Sequence, residues 1–361
     1  MQLITKLKTF YQKNERFLVP GVLVFGVIID FVTFRSIEIG SAFILLCVHW
    51  ILAGGMITFL LFQGSKERTK YKSIKYLHLF APLLVQFSFG ATLSAAFIFY
   101  WFSGSFSASW PIFLLVGFLM IANEKFREQY MRPTVQLSVY FFITFSLLSV
   151  MLPYAFNSLS AWIFLASGIL SLLIVLSYVH LLSKGLPKIL KQKQTIFFSV
   201  FCIFGIMNIL YFTNLIPPIP LSLTDAGIYH SIERVGNKYA VQAEYKTLIG
   251  RLLPGEWIHL REGDTLHALT SIFAPDDLQA DIVHEWQHFD TETYGWETMS
   301  EISYSMTGGR KEGYRGFSMR PIADDGLWRV RVKTERGQVI GSVWFWTTFI
   351  EKRPRIITIK K

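Results

Sequence analysis

Positive charge falls on alternate polar breaks in the first 220 residues, and this pattern constrains the fold more than any other feature. Sixteen of the seventeen Lys and Arg residues there lie in four breaks between long apolar runs, at 6–16, 66–75, 125–132 and 184–193. The other breaks contain one basic residue, Arg35, or none. Lys and Arg are retained in the cytoplasmic loops of helical membrane proteins. The alternation therefore predicts a polytopic membrane domain with its amino terminus in the cytoplasm.

The apolar runs between these breaks predict seven membrane-spanning helices. Most have the roughly 20 residues that a helix needs to cross the hydrocarbon core of a bilayer. The fourth run is short, but without it the basic break at 125–132 would fall on the wrong side. Seven crossings place the carboxyl terminus outside. The predicted spans are 17–34, 39–62, 77–101, 110–123, 134–153, 161–183 and 195–213.

The net charge of +10 comes from the apolar part of the chain. Residues 1–220 contain 17 basic and 6 acidic side chains, whereas the remainder contains 18 basic and 19 acidic ones. The excess therefore lies on the predicted cytoplasmic face, where it favours anionic lipid headgroups. It predicts the lipid bilayer as a partner and gives no argument for nucleic acid.

The composition changes after residue 213 and predicts a second domain. Residues 214–222 contain three prolines, which favour an extended chain, so we expect a stiff stalk between a membrane domain at 1–213 and an extracytoplasmic domain at 223–361. In that domain β-branched and aromatic residues recur with a period near two, as in half-buried strands. Gly-containing turns separate these runs. The pattern predicts an all-β, antiparallel, sandwich-like domain.

One motif in the predicted outer domain has the spacing of a zinc site. His284, Glu285 and His288 match H-E-x-x-H, in which two histidines bind zinc and the Glu is the general base. That chemistry requires a helix, and the local periodicity fits a helix or a strand. Strand-like runs flank the segment and no third ligand motif follows it. We therefore predict a strand without a metal, and keep a membrane-anchored zinc peptidase as the alternative.

Several short motifs together resemble a known bacterial envelope domain. They are His-Glu-Trp at 284–286, Thr-Gly-Gly-Arg at 307–310, Gly-Tyr-Arg-Gly-Phe-Ser at 313–318, Gly-Leu-Trp-Arg-Val at 326–330 and Arg-Gly-Gln-Val-Ile-Gly at 336–341. Over residues 266–349 the chain resembles domain of unknown function 2914, and its front end resembles longer multi-span members. The resemblance implies a bacterial inner or plasma membrane and a His-x-Trp strand motif. It implies no activity.

Arginine and aromatic residues stand close together in the resembling segment. Arg beside an aromatic ring can form a stacked, forked surface for a carboxylate, phosphate or sugar. The predicted ligand-binding residues are Arg310, Tyr314, Arg315 and Arg320. Arg329 and Arg331 alternate with apolar residues, which is typical of a solvated strand face. Trp286 and Trp328 are predicted to be buried in the core.

Two ionisable residues, Asp30 and His49, lie well within predicted spans, where such residues are costly and often functional. Because of these two residues, we keep a small-solute transporter as a further alternative.

The preferred interpretation is a multi-pass cell-envelope protein that displays a non-enzymatic binding or scaffolding module outside the membrane, without a cofactor. Its expected partners are another envelope protein or a glycan.

Overall fold

The computed structural model describes residues 28–30, 32, 39–63, 72–125, 132–236, 238–245, 256–310, 312–351 and 355–361. The chain forms two compact units. Among the described residues, the first unit contains those up to Trp101, together with Trp110–Phe156 and Ser160–Thr213. The second contains Phe102–Ser109, Asn157–Leu159 and Asn214–Lys361.

The apolar part of the chain is helical. Its helices are α1 (Ile39–Gln63), α2 (Lys72–Ser103), α3 (Phe106–Lys125), α4 (Pro133–Phe156), α5 (Ala161–Gly185) and α6 (Pro187–Phe212). Residues 28–30 and 32 are also helical. Within the described ranges, all of these named helices except α3 are long and apolar enough to cross a membrane.

The helices match five of the seven predicted spans. The fourth predicted span corresponds to a shorter apolar helix, Ala108–Asn123, within α3. A kink at Ser109, two residues before Pro111, interrupts α3 near its start. The first predicted span, 17–34, lies mostly outside the described residues. The count of seven therefore stays a prediction.

Polar side chains join α1 to α4 and α5 in the first unit. The hydroxyl of Tyr178 donates to the carbonyl oxygen of Gly54 at 2.7 Å and lies 2.8 Å from the hydroxyl of Thr58. The indole of Trp50 donates to the hydroxyl of Thr144 at 2.9 Å. Hydrogen bonds of this kind stabilise helix association where no water competes.

The second unit contains eleven described strands in three sheets. They are β1 (Ser222–Tyr229), β2 (Ser231–Val235), β3 (Lys238–Glu244), β4 (Glu256–Leu260), β5 (Thr265–Phe273), β6 (Gln279–Asp290), β7 (Gly295–Thr307), β8 (Tyr314–Pro321), β9 (Gly326–Thr334), β10 (Val339–Phe349) and β11 (Ile356–Lys360). The sheet orders are β1-β5-β8, β4-β10-β9-β6-β7 and β11-β3-β2.

The prediction of a wholly antiparallel domain is wrong at one pair of strands. β4 and β10 run parallel, with Trp257 opposite Trp346, whereas the other described pairs are antiparallel. Tight turns force antiparallel neighbours, as between β9 and β10. A chain segment of nearly eighty residues separates β4 from β10, so no turn dictates their relative direction.

Apolar side chains cover both faces of the sheet β1-β5-β8. Leu266 and Ala268 of β5 pack with residues of the five-stranded sheet, including Trp286, Trp328 and Phe345. On the opposite face of the same strand, Leu269 packs with residues of β1 and β3. Alternate residues of a strand point to opposite faces. β5 is therefore a central strand buried on both sides.

The segment predicted to be a free stalk packs into the second unit instead. Residues 216–221 are all buried. The side-chain amide of Gln338 donates to the carbonyl oxygen of Ile216 at 3.1 Å, and that of Asn214 donates to the carbonyl oxygen of Arg336 at 2.9 Å. Leu221, which follows the last proline, also belongs to a core cluster of the second unit.

Candidate functional site

The H-E-x-x-H motif lies in the middle of strand β6, as the strand interpretation predicted. His284 and His288 therefore point to one face of the sheet and Glu285 points to the other. The imidazole Nδ1 of His284 lies 2.9 Å from Ser318 Oγ, and its Nε2 lies 2.9 Å from Thr270 Oγ1. His288 Nε2 contacts the carbonyl oxygen of Asp325 at 2.9 Å.

The carboxylate of Glu285 has its own basic partners on the opposite face. It lies 3.0 Å from the ammonium of Lys333 and 3.4 Å from the guanidinium of Arg331. Across the described residues, no group of three or more His, Cys, Asp or Glu side chains is placed to hold a metal ion. This geometry gives no support to a zinc site formed by the motif.

His284 is the centre of a buried polar network. Its side chain is 0% exposed, and Ser318 also accepts the indole N–H of Trp286 at 2.9 Å. The hydroxyls of Thr270 and Tyr304 lie 2.9 Å apart. Burial lowers the pKa of His284 to about 4, so the ring is neutral at pH 7. Because Ser318 is buried as well, its contact with His284 faces no substrate and serves packing.

Three of the four predicted ligand-binding residues lie near the start of β8. The guanidinium carbon of Arg310 is 4.9 Å from the ring centroid of Tyr314. Tyr314 packs in turn against Tyr304 of β7, with ring centroids 6.3 Å apart. Arg315 forms an ion pair at 2.9 Å with Glu312, whose side chain is largely exposed.

The fourth predicted ligand-binding residue lies apart from the others. Arg320 is five residues along β8 from Arg315, roughly 16 Å at the rise of a strand. It donates to the carbonyl oxygen of Met299 at 2.9 Å, and its guanidinium carbon is 5.8 Å from the ring centroid of Trp328. The predicted set therefore does not form a single surface, and Arg320 helps to enclose a core tryptophan.

A different surface, on the outer side of the five-stranded sheet, has the properties of a binding site. An apolar side chain from each strand lies there in one row: Trp257 of β4, Trp346 of β10, Leu327 of β9, Phe289 of β6 and Trp296 of β7. Trp344 lies two residues from Trp346 on the same strand and face. We call Trp257, Trp296, Trp344, Trp346 and the adjacent Arg329 the tryptophan face.

The rings of the tryptophan face pack against one another and remain open to solvent. Trp257 and Trp346 stack with centroids 5.4 Å apart and an interplanar angle of 15°. Trp296 and Trp344 meet edge to face at 5.0 Å. Trp257, Trp344 and Trp346 are 59%, 40% and 39% exposed. Large exposed apolar patches on a folded domain commonly mark interaction sites.

Arg329 lies between two of these indoles. Its guanidinium carbon is 4.0 Å from the ring centroid of Trp296 and 5.4 Å from that of Trp344. Its Nε donates to the side-chain oxygen of Gln287 at 2.6 Å, which fixes the plane of the guanidinium. Burial, and then repulsion from Arg331, lower the pKa of Arg329 to about 10, so the group is still charged at pH 7.

The indole N–H groups distinguish the face from the core. Trp286 donates to Ser318, and Trp328 donates to the carbonyl oxygen of Asp324 at 3.2 Å. Among the residues that the structure describes, the indole nitrogens of the tryptophan face have no protein acceptor. Buried tryptophans usually bond their N–H. With respect to the described part of the chain, those of the tryptophan face are left for solvent or a ligand.

The sequence places Trp344 and Trp346 among the aromatic residues near arginine, but we assigned Arg329 to a solvated strand face and did not predict that four tryptophans meet beside it. A usable signal was present in β10, where Trp344 and Trp346 flank Phe345. Since neighbouring residues of a strand point to opposite faces, a buried Phe345 requires both tryptophans on the outer face. The contributions of Trp257 and Trp296 depend on strand order, which the sequence does not contain.

The two ionisable residues predicted within the membrane are both in helical segments. Asp30 is partly exposed. His49 of α1 packs edge to face against Phe87, with ring centroids 5.3 Å apart. Its Nδ1 is buried without a hydrogen-bond partner among the described residues. These observations give neither residue a transport role.

The comparisons with known proteins place a family domain in this part of the chain. Residues 279–346, which extend from β6 into β10, match the family described as Protein of unknown function (DUF2914). The resemblance noted in the sequence is thus confirmed, and the C-terminal region carries this domain. The matched segment contains Trp296, Trp344, Trp346 and Arg329 of the tryptophan face.

The other comparisons add little. No curated protein matches the chain. Among solved structures, the chain is similar to Pseudomonas fluorescens alkylpurine DNA glycosylase AlkC bound to DNA containing an abasic site analog, at 10% sequence identity. The alignment covers 83% of this chain and 97% of that one, with a TM-score of 0.24. At this TM-score the similarity carries no argument about fold or function.

Proposed function

We propose that the protein is a bacterial envelope protein whose second unit is a non-enzymatic binding or scaffolding module outside the membrane, with the tryptophan face as its binding surface. The observation that carries the proposal is the row of exposed indoles whose N–H groups have no acceptor among the described residues. Its partner is a glycan or another envelope protein. The proposed function requires no cofactor.

The five long apolar helices and the alternation of basic breaks support the membrane part of the proposal. We infer seven spans in an inner or plasma membrane, a cytoplasmic amino terminus and a sandwich-like outer domain. The polar breaks at 103–109 and 154–160, which contain no basic residue, then face the same side as the second unit.

Cysteine labelling tests this topology. In a chain with Cys47 and Cys202 replaced by Ser, a cysteine at Ser105 or Ser158 will react with an impermeant thiol reagent in intact cells. A cysteine at Ser73, in a basic break, will react only after permeabilisation. Labelling of Ser73→Cys in intact cells, with protection of Ser158→Cys, would invert the orientation.

Site-specific photocross-linking in intact cells tests the proposed binding surface. A photoreactive amino acid at Trp346 will give a discrete adduct, because this position lies in the proposed contact. The matched control is Met319 of β8, which is also exposed but lies on another sheet. Sensitivity of the adduct to protease or to glycan hydrolases will identify the class of partner. The binding role is wrong if Trp346 yields no more adduct than Met319.

No observation favours the zinc peptidase or the small-solute transporter to the same degree. The residues of the H-E-x-x-H motif point to two faces of β6 and already have partners. In the first unit, the contacts described for His49 are an edge-to-face packing on Phe87 and a buried Nδ1 without a hydrogen-bond partner among the described residues, neither of which indicates a solute site. We therefore propose neither a zinc peptidase nor a transporter.

A further inference from the structure

We propose that the tryptophan face binds an acidic saccharide, with sugar rings stacked on Trp344 and Trp346 and a sugar carboxylate held by Arg329. This inference rests on the proposed binding function and names the ligand class.

The exposed indoles suit the flat side of a sugar ring. The face of an aromatic ring is electron-rich, whereas its edge is electron-poor, so it attracts the weakly positive C–H groups of a pyranose. Trp344 and Trp346 are two residues apart on β10, roughly 6.6 Å along the strand. The indole N–H groups then lie at the rim of the stacked sugar, where they can donate to its hydroxyl groups.

The charges on the sheet leave one guanidinium without a direct ion pair among the described residues. Arg331 and Lys333 pair with Glu285, and Lys333 also pairs with Glu301 at 2.7 Å. Arg329 has no carboxylate within 4.0 Å among the described residues, and only its Nε donates a hydrogen bond within the protein. Glu285 interacts with Arg329 only at longer range, so this stacked and partly buried cation is still complementary to an anion that contacts it directly.

The geometry of Arg329 favours a carboxylate. The bond from its Nε to Gln287 orients the guanidinium and leaves both terminal nitrogens as parallel donors, an arrangement that matches the two oxygens of a carboxylate. The carboxylates of Glu285 and Glu301, farther along the same face, are already paired with Arg331 and Lys333, so among the described residues Arg329 is the cation of this face that is left for an added anion. A saccharide with one negative charge per ring fits this distribution.

The position of the face argues against an extended peptide. Peptides usually add to a free sheet edge or enter a groove. Trp344, Trp346 and Arg329 instead project from β10 and β9, whose backbones are paired on both sides. The available contacts are therefore ring faces and side-chain donors.

Binding of two matched probes tests the inference. Full-length protein in nanodiscs is titrated with tetragalacturonate and with its fully methyl-esterified form, which has the same rings without the charge. We expect tetragalacturonate to bind about tenfold more tightly, since a hydrogen bond to a charged group is roughly twice as strong as a neutral one. Arg329→Gln is expected to remove this difference, and Trp346→Ala to weaken both probes.

Arg234→Gln is the matched control, because Arg234 is an exposed arginine on β2, in another sheet, and donates to the carbonyl oxygen of Gly236; we expect it to leave both affinities unchanged. Equal affinity of the wild-type protein for the two probes would by itself overturn the inference, whatever the variants show. So would binding only to added phosphatidylglycerol vesicles, or binding of neither saccharide. If the Trp346 adduct persists in cells in any of these cases, only the ligand class is wrong; if that adduct is also absent, the proposed function fails too.

Discussion

Replacing Trp328 by Ala will destabilise the second unit by about 3–5 kcal/mol, the usual effect of truncating a large core aromatic. Trp328 is 0% exposed and packs in one core cluster with Trp286 and Phe345. Its indole N–H also bonds to the carbonyl oxygen of Asp324. The substitution leaves a cavity, and the loss is a large fraction of the roughly 5–15 kcal/mol that stabilises a typical domain.

Pulse proteolysis of the full-length protein across a urea series will measure the change. Trp346→Ala is the matched control, since it removes the same side chain from the outer face of the neighbouring strand, where the indole is 39% exposed. We expect this control to lower the free energy of unfolding by no more than about 1 kcal/mol, as for most surface substitutions. A control as destabilising as Trp328→Ala would mean that the tryptophan face is part of the packed core.

The sequence predicts the coarse architecture well because two strong patterns of apolar residues determine it. The long apolar runs require helices, and five of them appear near the expected limits. The period of two beyond residue 222 requires strands, and the segment around His284 is a strand although its motif also permits a helix. The burial of Trp286 and Trp328 follows from the same alternation.

Other features depend on contacts between distant segments and are not encoded in local pattern. The parallel pairing of β4 with β10 is set by which edge of the sheet β4 reaches. Residues 216–221 are buried because a distant part of the chain covers them. For the same reason the tryptophan face, which draws on β4, β7, β9 and β10, emerges only when the strand order is known.

Acidification will destabilise the second unit through His284. The pKa of this residue is about 4 in the folded protein, whereas the ordinary value is 6.5. The unfolded chain therefore binds the proton more tightly, and the stabilisation is fully present above pH 6.5 and is lost as the pH falls to about 4. One unit of pKa difference corresponds to about 1.4 kcal/mol. The total loss attributable to His284 is therefore about 3 kcal/mol.

Comparison with His284→Gln isolates this contribution, because Gln can hydrogen-bond to Thr270 or Ser318 but does not titrate. Other groups also respond to acid: Glu301, for example, has its pKa lowered by its bond to Lys333. Their effects are common to both proteins and cancel in the difference between the two free energies of unfolding. We expect the advantage of the wild-type protein at pH 7.5 to shrink by about 3 kcal/mol at pH 4, as measured by urea denaturation at each pH. A difference that stays constant between pH 7.5 and 4 would mean that the imidazole is not held neutral inside the core, and the buried network around Ser318 would then need a protonated donor at its centre.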